Sequence, residues 1–176
     1  MGRLVGVACL LSLCAAMVFT QTDQHLKLTS SAFAAGAEIP EKYSCKGEDL
    51  SPALAWSGAP EKTAAWAIVM DDPDAPAGDW VHWVMWNLPA SARSLPEGIA
   101  RREQPEDGAA QGRNSFGKTG YNGPCPPLGQ THRYFFRLYA LDQKLDLAPG
   151  ASRSQLDTAM RGHVLAQAEY MGKFHR

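Results

Sequence analysis

The chain has 176 residues, of which 45% are hydrophobic and 20% charged, a length that suits one globular domain and leaves little room for two. Its 17 Lys and Arg residues nearly balance its 18 Asp and Glu residues, so the formal net charge is -1. This balance excludes the basic surface that sequence-independent binding to nucleic acid or to anionic membranes requires. The apolar share excludes a disordered chain.

The first 20 residues have the pattern of a secretory signal. Residues 1–3 carry one positive charge, and the apolar run 4–19 follows them, as in the n-region and h-region of an exported protein. The run is short for a membrane-spanning helix, although an uncleaved N-terminal anchor is the alternative interpretation. We therefore predict an exported protein, periplasmic or secreted, whose domain covers residues 25–176.

Removal of this leader would leave two cysteines, Cys45 and Cys125. An exported location permits a disulfide between them, which would close a loop of about 80 residues. Two separately buried thiols are the alternative. The pair lacks the CxxC spacing of common zinc and redox motifs.

Five segments have the apolar, aromatic and β-branched content of strands. The run 64–70 is continuously apolar and ends at Asp71, which is typical of a buried strand. Within 80–88, alternation places His82 on the same face as Val84, Trp86 and Leu88. The predicted strands are 25–33, 54–56, 64–70, 80–88 and 133–141, and the last three form the core of a sheet.

The remaining segments are a long connection and a predicted helix. Residues 100–130 have little apolar periodicity and much Gly, Pro and charge, which is typical of functional loops. After Ser152 or Ser154, either of which can cap a helix, the spacing predicts one amphipathic helix that closes the chain. Its apolar stripe consists of Leu156, Met160, Val164 and Ala168.

Three possible catalytic or metal motifs fail a test of context. Residues 112–119 match the phosphate loop GxxxxGK followed by Thr, but the segment before them is polar and prolines follow, so the flanking strand and helix are missing. Ser115 lies in GRNSFG, which is not the GxSxG turn of serine hydrolases. A zinc site made of His82, His132 and an aspartate would lack compact ligand spacing, and we predict no metal or cofactor.

Polar groups cluster near the ends of the aromatic strands. Residues 71–76 bring three carboxylates into a turn whose backbone the prolines restrict, although an Asx-rich structural turn is the alternative. His82 lies in one aromatic strand, and His132 and Tyr134 share a face of another. If these groups converge, they form a small polar pocket in an apolar wall, the usual composition of a ligand site.

Together, these segments resemble the phosphatidylethanolamine-binding protein family. The resemblance is carried by DPDAP at 72–76, His82-Trp83, GPCPP at 123–127 and HRYFF at 132–136. Residues 43–52 and 159–166 are similar to the bacterial branch called Raf kinase inhibitor-like proteins. The resemblance implies a mainly β fold with a central antiparallel sheet, a smaller second sheet and peripheral helices, including a C-terminal helix.

The resemblance also implies a pocket for phosphate, acetate or a phospho head group. Imidazole and amide donors can hold the oxygens of an anion, while aspartates orient the imidazoles. Eukaryotic members add a C-terminal segment with a tyrosine near the pocket; residues 173–176 do not match it, so kinase regulation is not carried over. The residues that match the family's pocket are Asp72, Asp74, His82, Pro124, His132 and Tyr134.

Three functions follow as hypotheses. The first is a non-enzymatic binding protein for a small anion or phospho head group, because the sequence identifies no activated nucleophile and hence no catalytic residue. The second is an exported inhibitor or interaction protein that binds a partner, such as a protease, through loops around the pocket. The third is an unrecognised hydrolase that uses His82, His132 and Asp72.

Overall fold

The computed structural model describes residues 25–105 and 108–176, so the predicted leader lies outside the described residues. Within the described ranges, none of the helices is long and apolar enough to span a membrane. A 3-10 helix covers Glu41–Tyr43, and the α-helix α1 covers Arg153–Met160. The strands are β1 (Lys27–Ser30), β2 (Leu54–Ser57), β3 (Ala65–Asp72), β4 (Trp80–Pro89), β5 (Ser94–Leu95), β6 (Ala110–Gln111), β7 (Thr131–Leu141) and β8 (Val164–His175).

The strands form two antiparallel sheets. The larger has the order β6-β4-β3-β7-β8, and the smaller has the order β1-β2-β5. All eight residues of β3 are buried, because this central strand has neighbours on both sides and packed layers on both faces. The prediction of a mainly β fold with a central antiparallel sheet and a smaller second sheet is confirmed.

Each face of the large sheet has its own hydrophobic cluster. On one face, Trp66, Ile68 and Met70 pack in a cluster that includes Leu54 and Trp56 of the small sheet. The opposite face carries the smaller side chains of β3, which pack in a cluster with α1. Small residues on that face leave room for the helix, and burial of both clusters supplies the main favourable free energy of folding.

A β-bulge in β4 sets the direction of His82. The register between β3 and β4 skips this residue, and an extra residue of this kind breaks the alternation of faces. The His82 ring packs against Tyr134, which belongs to the cluster of Trp83, whereas Val84 and Trp86 belong to the other cluster. The predicted grouping of His82 with Val84 and Trp86 is therefore wrong.

A second irregularity follows in the same strand at Asn87. This residue has a positive φ of 58°, and the register against β3 shifts beside it. As a result, Leu88 packs in the cluster of Trp66 and not with Val84 and Trp86. The alternation predicted for 80–88 holds only between the two bulges.

The predicted C-terminal helix is confirmed at its start and wrong at its end. Ser152 caps α1 through a capping box with Gln155, in which each side chain bonds the backbone N–H of the other. The helix ends at Met160, and Val164 and Ala168 lie in β8. This strand pairs along the whole of β7, and that pairing overrides a helical spacing that rested on a few apolar residues.

Candidate functional site

A cavity of about 330 Å³ lies where β3 ends and where β4 and β7 begin. Both strands run antiparallel to β3 and flank it, so the start of each lies beside the end of β3. This topology brings Asp72, His82 and His132 to one wall. The polar lining residues are Asp72, His82, His132 and Arg176, and the apolar ones include Ala75, Pro76, Ala77, Trp80, Phe116, Pro126 and Pro127.

Asp72 and His132 form a buried pair in that wall. His132 Nδ1 lies 2.8 Å from Asp72 Oδ2, and the two side chains are only 5% and 4% exposed. Because a carboxylate accepts hydrogen bonds, Nδ1 is the donor, and the pair fixes the orientation of the imidazole ring. The other oxygen of Asp72 accepts a hydrogen bond from the backbone N–H of Asp74 at 2.9 Å. His132 Nε2, on the far side of the ring, lies 3.1 Å from Gln130 Oε1.

His82 lines the same cavity with a different hydrogen-bonding character. Its Nδ1 lies 2.7 Å from the carbonyl oxygen of Asn122, which accepts only, so Nδ1 carries the hydrogen. Burial lowers the pKa of His82 and favours the neutral ring. In that form Nε2 is an acceptor, which suits a donor such as a P–OH or N–H group. A neutral His82 ring has no free N–H for an anion, so the expected role of an imidazole donor to an anion stays a prediction.

The hydroxyl of Tyr134 is a buried donor beside these groups. It makes no hydrogen bond with the described residues, and the side chain is fully buried. Burial and then the negative charge of Asp72 raise the pKa of Tyr134, so the hydroxyl keeps its proton. Tyr134 is not among the residues that line the cavity, so its contact with a ligand stays a prediction.

Asp74 and Pro124 lie behind the cavity wall. The carboxylate of Asp74 receives Arg133 Nη2 at 2.7 Å on one oxygen and Arg133 Nε at 2.9 Å on the other. These hydrogen bonds lower the pKa of Asp74 to about 2. The carbonyl of Pro124 accepts from the backbone N–H of Cys45 at 3.1 Å. Both residues support the wall, and their contact with a ligand stays a prediction.

A disulfide joins Cys45 to Cys125, with the two Cα atoms 5.4 Å apart. The structure thus selects pairing over two separate thiols. Cys125 lines the cavity. Asp49 holds the residues just before Cys125, because its carboxylate accepts hydrogen bonds from Gly123 N at 2.6 Å and from Asn122 Nδ2 at 3.0 Å. The role of Asp49 was not predicted, although it lies in the segment 43–52 that carried part of the resemblance.

The mouth of the cavity is aromatic. The rings of Trp80 and Phe116 meet edge to face, with centroids 5.4 Å apart, and Phe116 lies in the segment 112–119. This segment folds as a turn in which Asn114 Oδ1 accepts from the backbone N–H groups of Phe116 and Lys118. It has no helix after it, which agrees with the exclusion of a phosphate loop, and it places Phe116 at the cavity.

Arg176 is the polar lining residue that sequence reasoning missed. Its guanidinium Nη1 lies 3.6 Å from Cys125 Sγ and 3.4 Å from the carbonyl oxygen of Pro126. The signal was weak, since a single arginine outside any motif is usually a surface residue. Within residues 25–105 and 108–176, no three His, Cys, Asp or Glu side chains lie together in a way that could hold a metal ion.

These features define a class of protein: a two-sheet β domain whose small pocket combines a buried Asp–His pair, a second histidine and an aromatic mouth. A family model described as "Phosphatidylethanolamine-binding protein" matches residues 29–175. The chain belongs to the phosphatidylethanolamine-binding protein family.

Relatives from distant organisms extend over nearly the same part of the chain. A UPF0098 protein of Methanothermobacter thermautotrophicus is 47% identical over 151 residues, which cover 86% of this chain and 99% of the relative. A crystal structure described as a phosphatidylethanolamine-binding protein homolog from Chlamydia trachomatis has a TM-score of 0.79 and 40% identity, covering 87% of this chain and 99% of its own. The E. coli protein YbcL has a TM-score of 0.81 and 33% identity, with coverages of 86% and 99%.

Proposed function

We propose that this protein is a non-enzymatic binding protein whose pocket takes a small anion or a phospho head group. The observation that carries the proposal is the concave wall in which Asp72, His82 and His132 meet. His132 is oriented by a buried hydrogen bond to Asp72, and Tyr134 has a protonated hydroxyl without a partner in the described residues. A small polar wall with an oriented imidazole suits an oxyanion, which can accept several hydrogen bonds at once.

The apolar mouth favours an anion that carries an organic substituent. Trp80 and Phe116 would stay in contact with water around a bare phosphate, whereas a substituent would cover them and add apolar burial. The cavity volume of about 330 Å³ is at the small end of ligand pockets. A short phosphate ester, such as a phospholipid head group or a free head-group analogue, therefore suits this pocket better than a large ligand.

The chemistry of the nearby hydroxyl and thiol groups supports binding over catalysis. The sulfur of Cys125 is committed to a disulfide. The Ser115 hydroxyl accepts a hydrogen bond from the backbone of Val81 at 2.9 Å and has no histidine partner among the described residues. Nucleophilic catalysis needs a nucleophile in contact with its base. Turnover of an ester, phosphoester or peptide that disappears in His132→Ala would overturn this part of the proposal.

We place the protein outside the cytoplasm. The apolar run 4–19 supports export, and the Cys45–Cys125 disulfide suits the oxidising compartments in which such bonds persist. Fractionation of cells followed by intact-mass measurement tests both points. A mature chain without its leader in the periplasm or medium is expected, and a full-length cytoplasmic chain with two free thiols would contradict the proposal.

Calorimetric titration with phosphate, phosphoethanolamine and a nucleotide tests the binding function. Saturable binding is expected for the wild-type protein, with loss in His132→Ala and in Asp72→Asn, because each change removes one side of the oriented pair. His163→Ala is the matched control, since His163 also pairs with an aspartate, Asp142, at 3.0 Å but on the surface. Wild-type protein that binds none of the three probes would refute the proposal.

Exposed apolar residues beside the cavity favour one second candidate, an interaction protein. Phe116 is 40% exposed and Leu128 is 79% exposed, and Leu128 follows the lining residue Pro127. Apolar side chains of this size at a cavity rim suit contact with a protein partner, such as a protease. Inhibition of a panel of periplasmic proteases that is lost in Leu128→Ser and kept in His132→Ala would support this candidate over the first.

A further inference from the structure

We propose that Arg176 is the residue that makes the pocket selective for anions. This inference rests on the proposed binding function and goes beyond it by naming the source of the charge preference. It also lies outside the motifs through which the pocket was predicted, because Arg176 follows the part of the chain that the family model matches, residues 29–175. The proposal stands on the position of the guanidinium and on the partners that it has.

The cavity wall has one permanently positive side chain among its described residues. Among the described lining residues, Arg176 is the one with a permanent positive charge, and Asp72 is the one with a carboxylate. The carboxylate of Asp72 is covered by His132 and by the backbone of Asp74, so its lone pairs point into the protein's own hydrogen bonds. Arg176 is therefore the charged group that is left to attract a ligand.

Arg176 differs from other arginines of the domain, which are paired with carboxylates. Arg133 is paired with Asp74, and Arg137 and Arg153 are both paired with the buried Asp71. Arg176 forms no salt bridge with the described residues, and its side-chain contacts are a sulfur at 3.6 Å and a carbonyl at 3.4 Å. Both acceptors are neutral and distant for hydrogen bonds, so no described side chain compensates the positive charge.

The backbone holds Arg176 in place next to the buried pair. Its carbonyl oxygen accepts from Gly129 N at 2.6 Å, and its N–H donates to the carbonyl oxygen of Gln130 at 3.2 Å. The Gln130 side chain in turn contacts His132 Nε2. The backbone of Arg176 is thus fixed to residues 129 and 130, which lead into β7, without an ion pair of its side chain.

The chemistry of a guanidinium defines the preferred ligand group. Arg has five N–H donors in a planar fork, and two of them can bind two oxygens of one phosphoryl group. Such charge-assisted bonds favour an oxyanion over a neutral group of the same shape. A phosphoryl group is therefore expected to bind through Arg176 and His132 together, whether it is free phosphate or part of a head group.

Titration of the full-length protein with inorganic phosphate and with phosphoethanolamine tests the inference and separates the two sources of the phosphoryl group. Arg176→Gln is expected to weaken phosphate binding by at least about tenfold, the factor that loss of a charged hydrogen bond gives. Arg176→Lys keeps the charge and is expected to retain an intermediate affinity. The salt dependence of phosphate affinity is expected to fall in Arg176→Gln, because one fewer positive charge faces the ligand.

Arg161→Gln is the charge-matched control, since Arg161 is exposed at the end of α1, on the other face of the sheet. Wild-type binding that survives unchanged in Arg176→Gln would overturn the role of Arg176 and leave the proposed function intact. Wild-type protein without any phosphate or phosphoethanolamine binding would overturn both. Equal affinity losses in the Gln and Lys variants, accompanied by lower melting temperatures, would assign Arg176 a structural role and also overturn the inference.

Discussion

Removal of the disulfide by the double change Cys45→Ser and Cys125→Ser is expected to destabilise the domain strongly while leaving its fold intact. The bond joins residues separated by 80 positions, and closing a loop of that size removes chain entropy from the unfolded state worth about 4.5 kcal/mol. That amount is a large part of the stability of a typical domain, which is about 5–15 kcal/mol. A melting temperature lower by roughly 10–15 °C follows for a domain of this size.

The native structure has other contacts that hold the same two segments together. Cys45 N bonds the carbonyl of Pro124 at 3.1 Å, and the hydroxyl of Tyr121 donates to the carbonyl of Tyr43 at 2.7 Å. Asp49 adds hydrogen bonds to Gly123 and to the side chain next to it. The loss of free energy is therefore expected to arise mainly in the unfolded chain, with the cavity wall still in place.

Urea unfolding followed by tryptophan fluorescence in non-reducing buffer measures the effect, since the chain has 5 Trp residues. The double variant is expected to have a lower midpoint and a larger m-value, because its unfolded state is less compact. Reduced wild-type protein is the matched control and should unfold like the variant. A free energy of unfolding equal to that of the oxidised wild type, within about 0.5 kcal/mol, would refute the chain-entropy reasoning.

Three further changes test the site. The hydrogen bonds from Arg133 lower the pKa of Asp74 from 3.8 to about 2. The ionised carboxylate therefore stabilises the fold above the pKa of the unfolded chain, and this stabilisation is lost as the pH falls towards 2. Urea unfolding of Asp74→Asn is expected to depend less steeply on pH in that window. Burial lowers the pKa of His82 below 6.5. Below that pH the unfolded chain takes up a proton at His82 more readily than the folded chain does, so the wild type loses stability as the pH falls. His82→Asn keeps an N–H group in place, and its free energy of unfolding should lack this loss. Tyr134→Phe removes the hydroxyl that has no partner among the described residues. The change is expected to lower the free energy of unfolding by less than about 0.5 kcal/mol and to weaken phosphate binding in calorimetry. A large loss of stability would reveal a structural hydrogen bond.

The sequence predicted those elements whose burial or capping imposes a pattern on neighbouring residue types. The strand β3 is buried on both faces, so each of its positions from Ala65 to Met70 is apolar and the run has no polar interruption. The helix start at Ser152 was also predictable, because a capping box depends only on residues three positions apart. The pocket residues Asp72, His82 and His132 were predicted from motifs, and the structure places all three at one cavity.

Long-range pairing decided what the pattern left ambiguous. Val164 and Ala168 fit a helical stripe after Met160, yet they belong to a strand whose partner, β7, begins more than thirty residues earlier in the chain. The alternation in β8 is carried partly by small alanines and by Gly172, which contribute little to an apolar pattern. The local sequence pattern therefore predicted a longer helix, because it does not contain the hydrogen bonds between β7 and β8.

Residues 64–70, 80–88 and 133–141 by themselves predicted three strands of a buried sheet, with His82 in one strand and His132 directly before another. Only the tertiary structure decided that the bulge in β4 turns His82 towards Tyr134, that Cys45 pairs with Cys125, and that Arg176 reaches the cavity. The physical reason is that burial imposes a periodicity on neighbouring residues, which a sequence records. Register shifts and contacts between distant segments depend on how the packed elements meet, and no local periodicity records them.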